Sequence, residues 1–166
     1  MAIHPMRING PWDEGFALDW HVVSATPLGE DVYGNPRFST TRSVMGELVF
    51  QLKYRYNYSK VDEIMEIVVP FLDAWDKMKQ VNYVIPAPSS KAREVQPVYL
   101  LADRIAEYLN VGWSSDILQK ISTDELKGAS VAEKRQRIEG SIIKRKKAKA
   151  EHTMLLVDDC LTVGLR

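Results

Sequence analysis

The sequence predicts an α/β fold, a mainly parallel sheet flanked by helices with a small β cap at the amino end, and three observations predict it. Short apolar runs at 82–85 and 153–157 each end in a polar loop, as buried parallel strands do. Val98, Leu101, Ala102, Ile105 and Leu109 follow the first run at helical spacing, which makes a β-loop-α unit. Strand and helix signals then alternate, and in such sheets ligands bind beyond the carboxyl ends of the strands.

Taken in order, FALDWHVVS at Phe16 to Ser24 reads as a strand, and TPLGEDVYGNPRF after it carries the Pro and Gly breakers of a loop or hairpin. Residues 1–40 therefore form the cap, and 41–166 the main domain of a single globular unit. Val44, Met45, Leu48, Val49, Leu52 and Tyr56 mark one helix face. Ile64, Ile67, Val68, Phe71, Leu72 and Trp75 mark another, which Pro70 is expected to kink or split. Both helices are expected to cover the sheet. Asp116 to Ile121 is a further strand candidate, and Ser130 with Glu133 resembles a capping box opening a helix to Ile138.

The 166 residues, 45% hydrophobic, suffice for a core without metals or disulfides. Lys and Arg number 22, as do Asp and Glu, so no whole-molecule field selects nucleic acid or an anionic membrane, and any anion site must be local. One cysteine, Cys160, excludes an internal disulfide and fits a reducing compartment. No signal peptide shows, and no run approaches the roughly 20 apolar residues of a membrane span. A soluble cytoplasmic protein is the expectation.

Chemistry concentrates in three segments. Thr153 to Val157 runs into Asp158 and Asp159, then Cys160, Leu161, Thr162, Val163 and Gly164. Paired carboxylates at a strand end can accept hydrogen bonds from sugar hydroxyls and hold Mg2+, directly or through water, while loop amides surround a phosphate. A buried strand ending in two solvated aspartates would look the same. Val84-Ile85-Pro86-Ala87-Pro88 leads into Ser89, Ser90, Lys91 and Arg93, whose hydroxyls and cations at a helix start suit a polyanion, or equally a solvated turn. The third segment, Lys127 to Gly140, contains Lys134, Arg135 and Arg137, which an exposed basic helix would also explain.

Together with Met45-Gly46-Glu47-Leu48-Val49-Phe50-Gln51-Leu52-Lys53-Tyr54, these segments in this order resemble the type I phosphoribosyltransferases, and among them the ComF (competence protein) kind, over about Thr41 to Arg166. The resemblance implies an enzyme that takes phosphoribosyl pyrophosphate (PRPP) or a phosphoribosyl nucleotide with Mg2+. Asp158 and Asp159 would be its catalytic, ribose-binding and metal-binding pair. The segment Cys160 to Gly164 would hold the 5'-phosphate, and Ser89, Ser90, Lys91 and Arg93 the pyrophosphate. Lys134, Arg135 and Arg137 would sit on a hood that closes over the substrate.

The chain departs from that pattern in three places. Val163 and Arg166 stand where the family has hydroxyl side chains, which removes two phosphate donors. The helix and strand that follow the phosphate loop in the family do not follow here, so an incomplete carboxyl end is expected: a fragment of a longer chain, a chain whose sheet a protein partner or a second copy completes, or a remnant that has lost catalysis. The four-cysteine zinc module common in the family has no counterpart. A second reading thus stays open: a catalytically inactive module of the same fold, used in nucleotide sensing or as a DNA or protein interaction partner.

The run Lys144-Arg145-Lys146-Lys147-Ala148-Lys149 suits a nucleic-acid backbone, but a solvated turn before a strand explains it better, since no base-reading motif accompanies it. Tyr54, Tyr56 and Tyr58, beside Lys53 and Arg55, read as amphipathic packing against the core. His4 and His21 lack ligand partners at metal spacing, and His152 reads as a surface residue.

Overall fold

A computed structural model describes residues 3–89, 93–121, 141–146 and 151–159. The chain divides into two compact units, one running through Ala74 and the other Trp75–Asp159.

The first unit opens with β1 (Met6–Arg7) and β2 (Phe16–Ala17), two antiparallel residues each. A longer antiparallel ribbon follows, β3 (Val22–Glu30) and β4 (Pro36–Arg42). The stretch forms a hairpin, one of the two expected alternatives, and strand runs through Thr26-Pro27-Leu28-Gly29 despite its breaker residues. The reason is visible in the register: it shifts between Val22 and Ser24 and again between Pro27 and Gly29, so the ladder absorbs Pro27 and Gly29 as bulges on a two-stranded ribbon. At the tip, the Asp31 carboxylate accepts from the amides of Tyr33 (2.8 Å) and Asn35 (2.9 Å) and from the Asn35 side chain (3.1 Å). Gly34, at φ 78°, closes the turn in the left-handed region.

Helix α1 (Val44–Tyr54) begins where the Ser43 hydroxyl accepts from the Gly46 amide at 2.9 Å and donates to the Trp20 carbonyl. That second bond ties the helix start to the chain before the ribbon. Gly46 is required there, because a Cβ would run into the His21 carbonyl oxygen. Helix α2 (Lys60–Ala74) passes through Pro70 unbroken. Pro70 and Glu66 are both exposed, so the carbonyl that loses its helical partner can be hydrated. The core of this unit is the shared face of the two helices, with Leu52 (0% exposed), Val61 and Ile64 at its centre. Phe16 meets Phe71 edge-on at 5.4 Å.

The second unit starts with a 3₁₀ turn, Asp76–Gln80, and then β5 (Val81–Pro86). Helix α3 (Pro97–Leu109) begins with Pro97 in its first turn, where the missing amide costs nothing, and stops at Asn110, left-handed at φ 53°. Two residues, Gly112–Trp113, form β6; Leu118–Lys120 and Ile142–Lys144 form β7 and β8; Thr153–Val157 forms β9. The parallel sheet has the order β6-β5-β9, with β5 in the middle. Helix α3 packs on β5 and buries Val98, Leu101, Ala102 and Ile105, while Val84 and Ile85, on opposite faces of β5, are both buried. Fully burying each of the valine, leucine and isoleucine side chains among these contributes about 1.5–3 kcal/mol.

The expected architecture holds at the level of a mixed α/β chain with a three-stranded parallel sheet. The strand expected at Asp116 to Ile121 is shorter and leaves that sheet: β7 pairs antiparallel with β8. The helix expected from Ser130 lies outside the described residues. No helix among the described residues is long and apolar enough to cross a membrane.

Candidate functional site

The two informative loops of the second unit leave neighbouring strands. β5 and β9 run parallel with Ile85 opposite Leu156 and Pro86 opposite Val157. One residue further, the Ala87 amide donates to the Val157 carbonyl at 2.7 Å. The chain from Ala87 to Ser89 and the pair Asp158-Asp159 therefore emerge side by side at the carboxyl end of the sheet.

The sequence explains this local geometry. Val84, Ile85 and Pro86 are buried, and the Pro-x-Pro spelling removes backbone donors at Pro86 and Pro88, leaving the Ala87 amide to make the last ladder bond. At the opposite end the Asn82 side chain accepts from the Thr153 amide at 2.8 Å, filling the register shift between Val81 and Tyr83. Asn82 was not among the residues singled out in the sequence. Its signal was a polar amide inside an otherwise apolar strand.

The acids differ in exposure. Asp158 is exposed and its Oδ1 accepts from the Asp159 amide at 2.8 Å, which fixes the turn out of the strand; Asp159 is half-buried. Ser89 and Arg93 are half-buried, on the stretch that leads to the start of α3. Ser90 and Lys91, the phosphate-loop residues Cys160, Leu161, Thr162, Val163 and Gly164, and the hood residues Lys134, Arg135 and Arg137 lie outside the described residues, as does Arg166. Of the expected constellation the structure thus brings together Ser89, Asp158 and Asp159 at adjacent strand ends.

No protein-family model, curated protein or solved structure matches the chain.

Among the described residues no cluster of three or more His, Cys, Asp or Glu forms a ready metal cage. Two adjacent carboxylates still match the needs of Mg2+, which keeps several waters and takes one or two carboxylates together with substrate phosphates.

The remaining candidates sit elsewhere. Lys144, Arg145 and Lys146 are exposed, and Lys146 pairs with Asp116 at 3.3 Å. His4 lies 3.7 Å from Asp19, and His152 is exposed. Tyr54, Tyr56 and Tyr58 do not enter the core: they are 53%, 61% and 39% exposed. Tyr54 packs on Phe50 at 5.3 Å, at the surface, where the Arg42 guanidinium also covers Phe50 at 3.7 Å. The helix end explains this: α1 stops at Tyr54, and Tyr56 takes a left-handed turn at φ 54°.

Proposed function

We propose that the second unit binds PRPP with Mg2+ and transfers its phosphoribosyl group to an acceptor, releasing pyrophosphate and leaving the phosphoribosylated acceptor as product. In that reaction the bond from the anomeric carbon to the pyrophosphate oxygen breaks, a bond to the acceptor forms, and pyrophosphate leaves with the electron pair. The observation that carries the reading is the Ala87 to Val157 hydrogen bond, which puts a serine-bearing loop and an acid pair at one end of one sheet.

Each group has a task there. Asp158 and Asp159 would accept from the ribose hydroxyls and stabilise positive charge building on the sugar ring. Ser89 and Arg93 would donate to the departing pyrophosphate, with Ser90 and Lys91 between them in sequence. Bound Mg2+ would supply charge neutralisation at the pyrophosphate. Such chemistry depends on placed charge rather than on a protein nucleophile, so it needs no Ser-His-Asp arrangement.

Titration calorimetry of the full chain with PRPP and Mg2+ tests this. Binding is expected for the native sequence, with a loss of about a hundredfold or more for Asp158→Asn/Asp159→Asn, since two charge-assisted contacts each contribute roughly 1.5–3 kcal/mol. Unchanged affinity in the double variant would rule out the ribose site.

A further inference from the structure

The first unit holds a cleft of about 420 Å³ between the chain at Ile3 and Pro5 and one side of α2, where Glu66, Ile67, Pro70 and Phe71 line it. Small-molecule sites begin at roughly 300 Å³ and are mostly apolar, with a few polar groups that fix orientation. Five of these six lining residues are apolar. Phe71 is set in place by Phe16, which meets its ring edge-on at 5.4 Å.

The sixth is Glu66, whose carboxylate only accepts. Its backbone carbonyl also lacks the usual helical donor, because Pro70, four residues on, carries no amide hydrogen. Among the described residues no base pairs with the Glu66 carboxylate, whereas Glu63, one turn earlier, is held by Lys60. The bases of the facing segment have acids of their own: His4 lies 3.7 Å from Asp19 and Arg7 3.6 Å from Glu14. Helix α2 carries Asp62, Glu63, Glu66 and Asp73 against one base, Lys60, so its field favours a cation as well.

An apolar, partly aromatic wall with one uncompensated carboxylate selects a ligand of one kind. We propose that this cleft binds a small organic amine, its ammonium donating to the Glu66 carboxylate and its apolar body lying against Ile67, Pro70 and Phe71. An anion would be repelled by Glu66, and a neutral body would leave that charge unanswered. The site draws on the first unit alone and on no residue of the acid pair or its neighbouring loop, so it stands independently of the phosphoribosyl reading.

Amide NMR of the full chain titrated with phenethylamine, and in parallel with phenethyl alcohol as its neutral counterpart, tests the site. The amine is expected to shift the Ile67 and Phe71 amides along one saturable curve and to bind at least about tenfold more tightly than the alcohol, which lacks the charged donor. Glu66→Gln, an exposed substitution, is expected to weaken the amine by about tenfold or more and bring it down to the alcohol's affinity. Asp62→Asn, on the same helix but outside the cleft, should change it by no more than about twofold. Equal binding of amine and alcohol overturns the proposal. So does amine binding that survives Glu66→Gln, an equal loss in Asp62→Asn, or the absence of any saturable shift with the amine.

Discussion

The Ala87 amide and the Val157 carbonyl, 2.7 Å apart, tie the exit of one parallel strand to the exit of its neighbour. This bond is the last of the β5-β9 ladder, and everything proposed about the acid pair depends on the register that it ends.

The other end of that ladder gives the first test. Asn82→Ala removes the side-chain acceptor of the Thr153 amide. The loss is expected near 1 kcal/mol, the net worth of one hydrogen bond, which lowers Tm by about 2–4 °C in a chain of this size. Thermal unfolding followed by circular dichroism reads it directly; no change would mean that the side chain does not hold the strand.

Gly46→Ala sets two effects against each other. Alanine favours a helix over glycine by about 1 kcal/mol, but its Cβ would collide with the His21 carbonyl, a backbone atom that cannot rotate away. Overpacking of this kind costs about 1–3 kcal/mol, so a net destabilisation is expected in urea unfolding. A stabilised variant would show that the helix start is looser than described.

Two leucines should separate core from surface. Leu52 is 0% exposed and Leu156 53%. Leu52→Ala is expected to cost about 2–5 kcal/mol, while Leu156→Ala stays within about 0.5 kcal/mol. Equal effects in chemical denaturation would contradict the burial pattern.

The ribbon tip carries a pH signature. Hydrogen bonds from the Asn35 amide, the Asn35 side chain and the Tyr33 amide hold the Asp31 carboxyl below the ordinary aspartate range. A carboxylate with a depressed pKa contributes its stabilisation above the unfolded-state value and loses it as pH falls through the folded one. The Tyr33 and Asn35 amide resonances should therefore titrate with a midpoint below that of an ordinary aspartate and become pH-insensitive in Asp31→Asn. A midpoint at or above the ordinary range would contradict the turn.

What the sequence revealed follows from which forces act locally. Thr153 to Val157 and the run into Pro86 were legible because a strand buried in a parallel sheet is a short apolar run. Helix α3 was legible from its apolar spacing, within a residue at its start. Strand β6 was not, since two residues carry no period and its place depends on Tyr83, whose hydroxyl donates to the Trp113 carbonyl at 3.1 Å. Strand β8 lay hidden beside the basic run, because its partner β7 is more than twenty residues away. Pro70 misled because the helix runs on through it, with Pro70 and Glu66 exposed so that the carbonyl without a helical partner meets solvent. The acid pair was visible as a motif, but its neighbour in space was set by sheet order, which no local pattern encodes.

The juxtaposition of the two loops is best examined by amide NMR of the full chain as PRPP and Mg2+ are added. Resonances of Ala87 and Ser89 and those of Asp158 and Asp159 should shift together along one binding curve, while Tyr33 and Asn35 at the ribbon tip stay still. Shifts confined to one of the two loops, or to neither, would contradict a shared phosphoribosyl site.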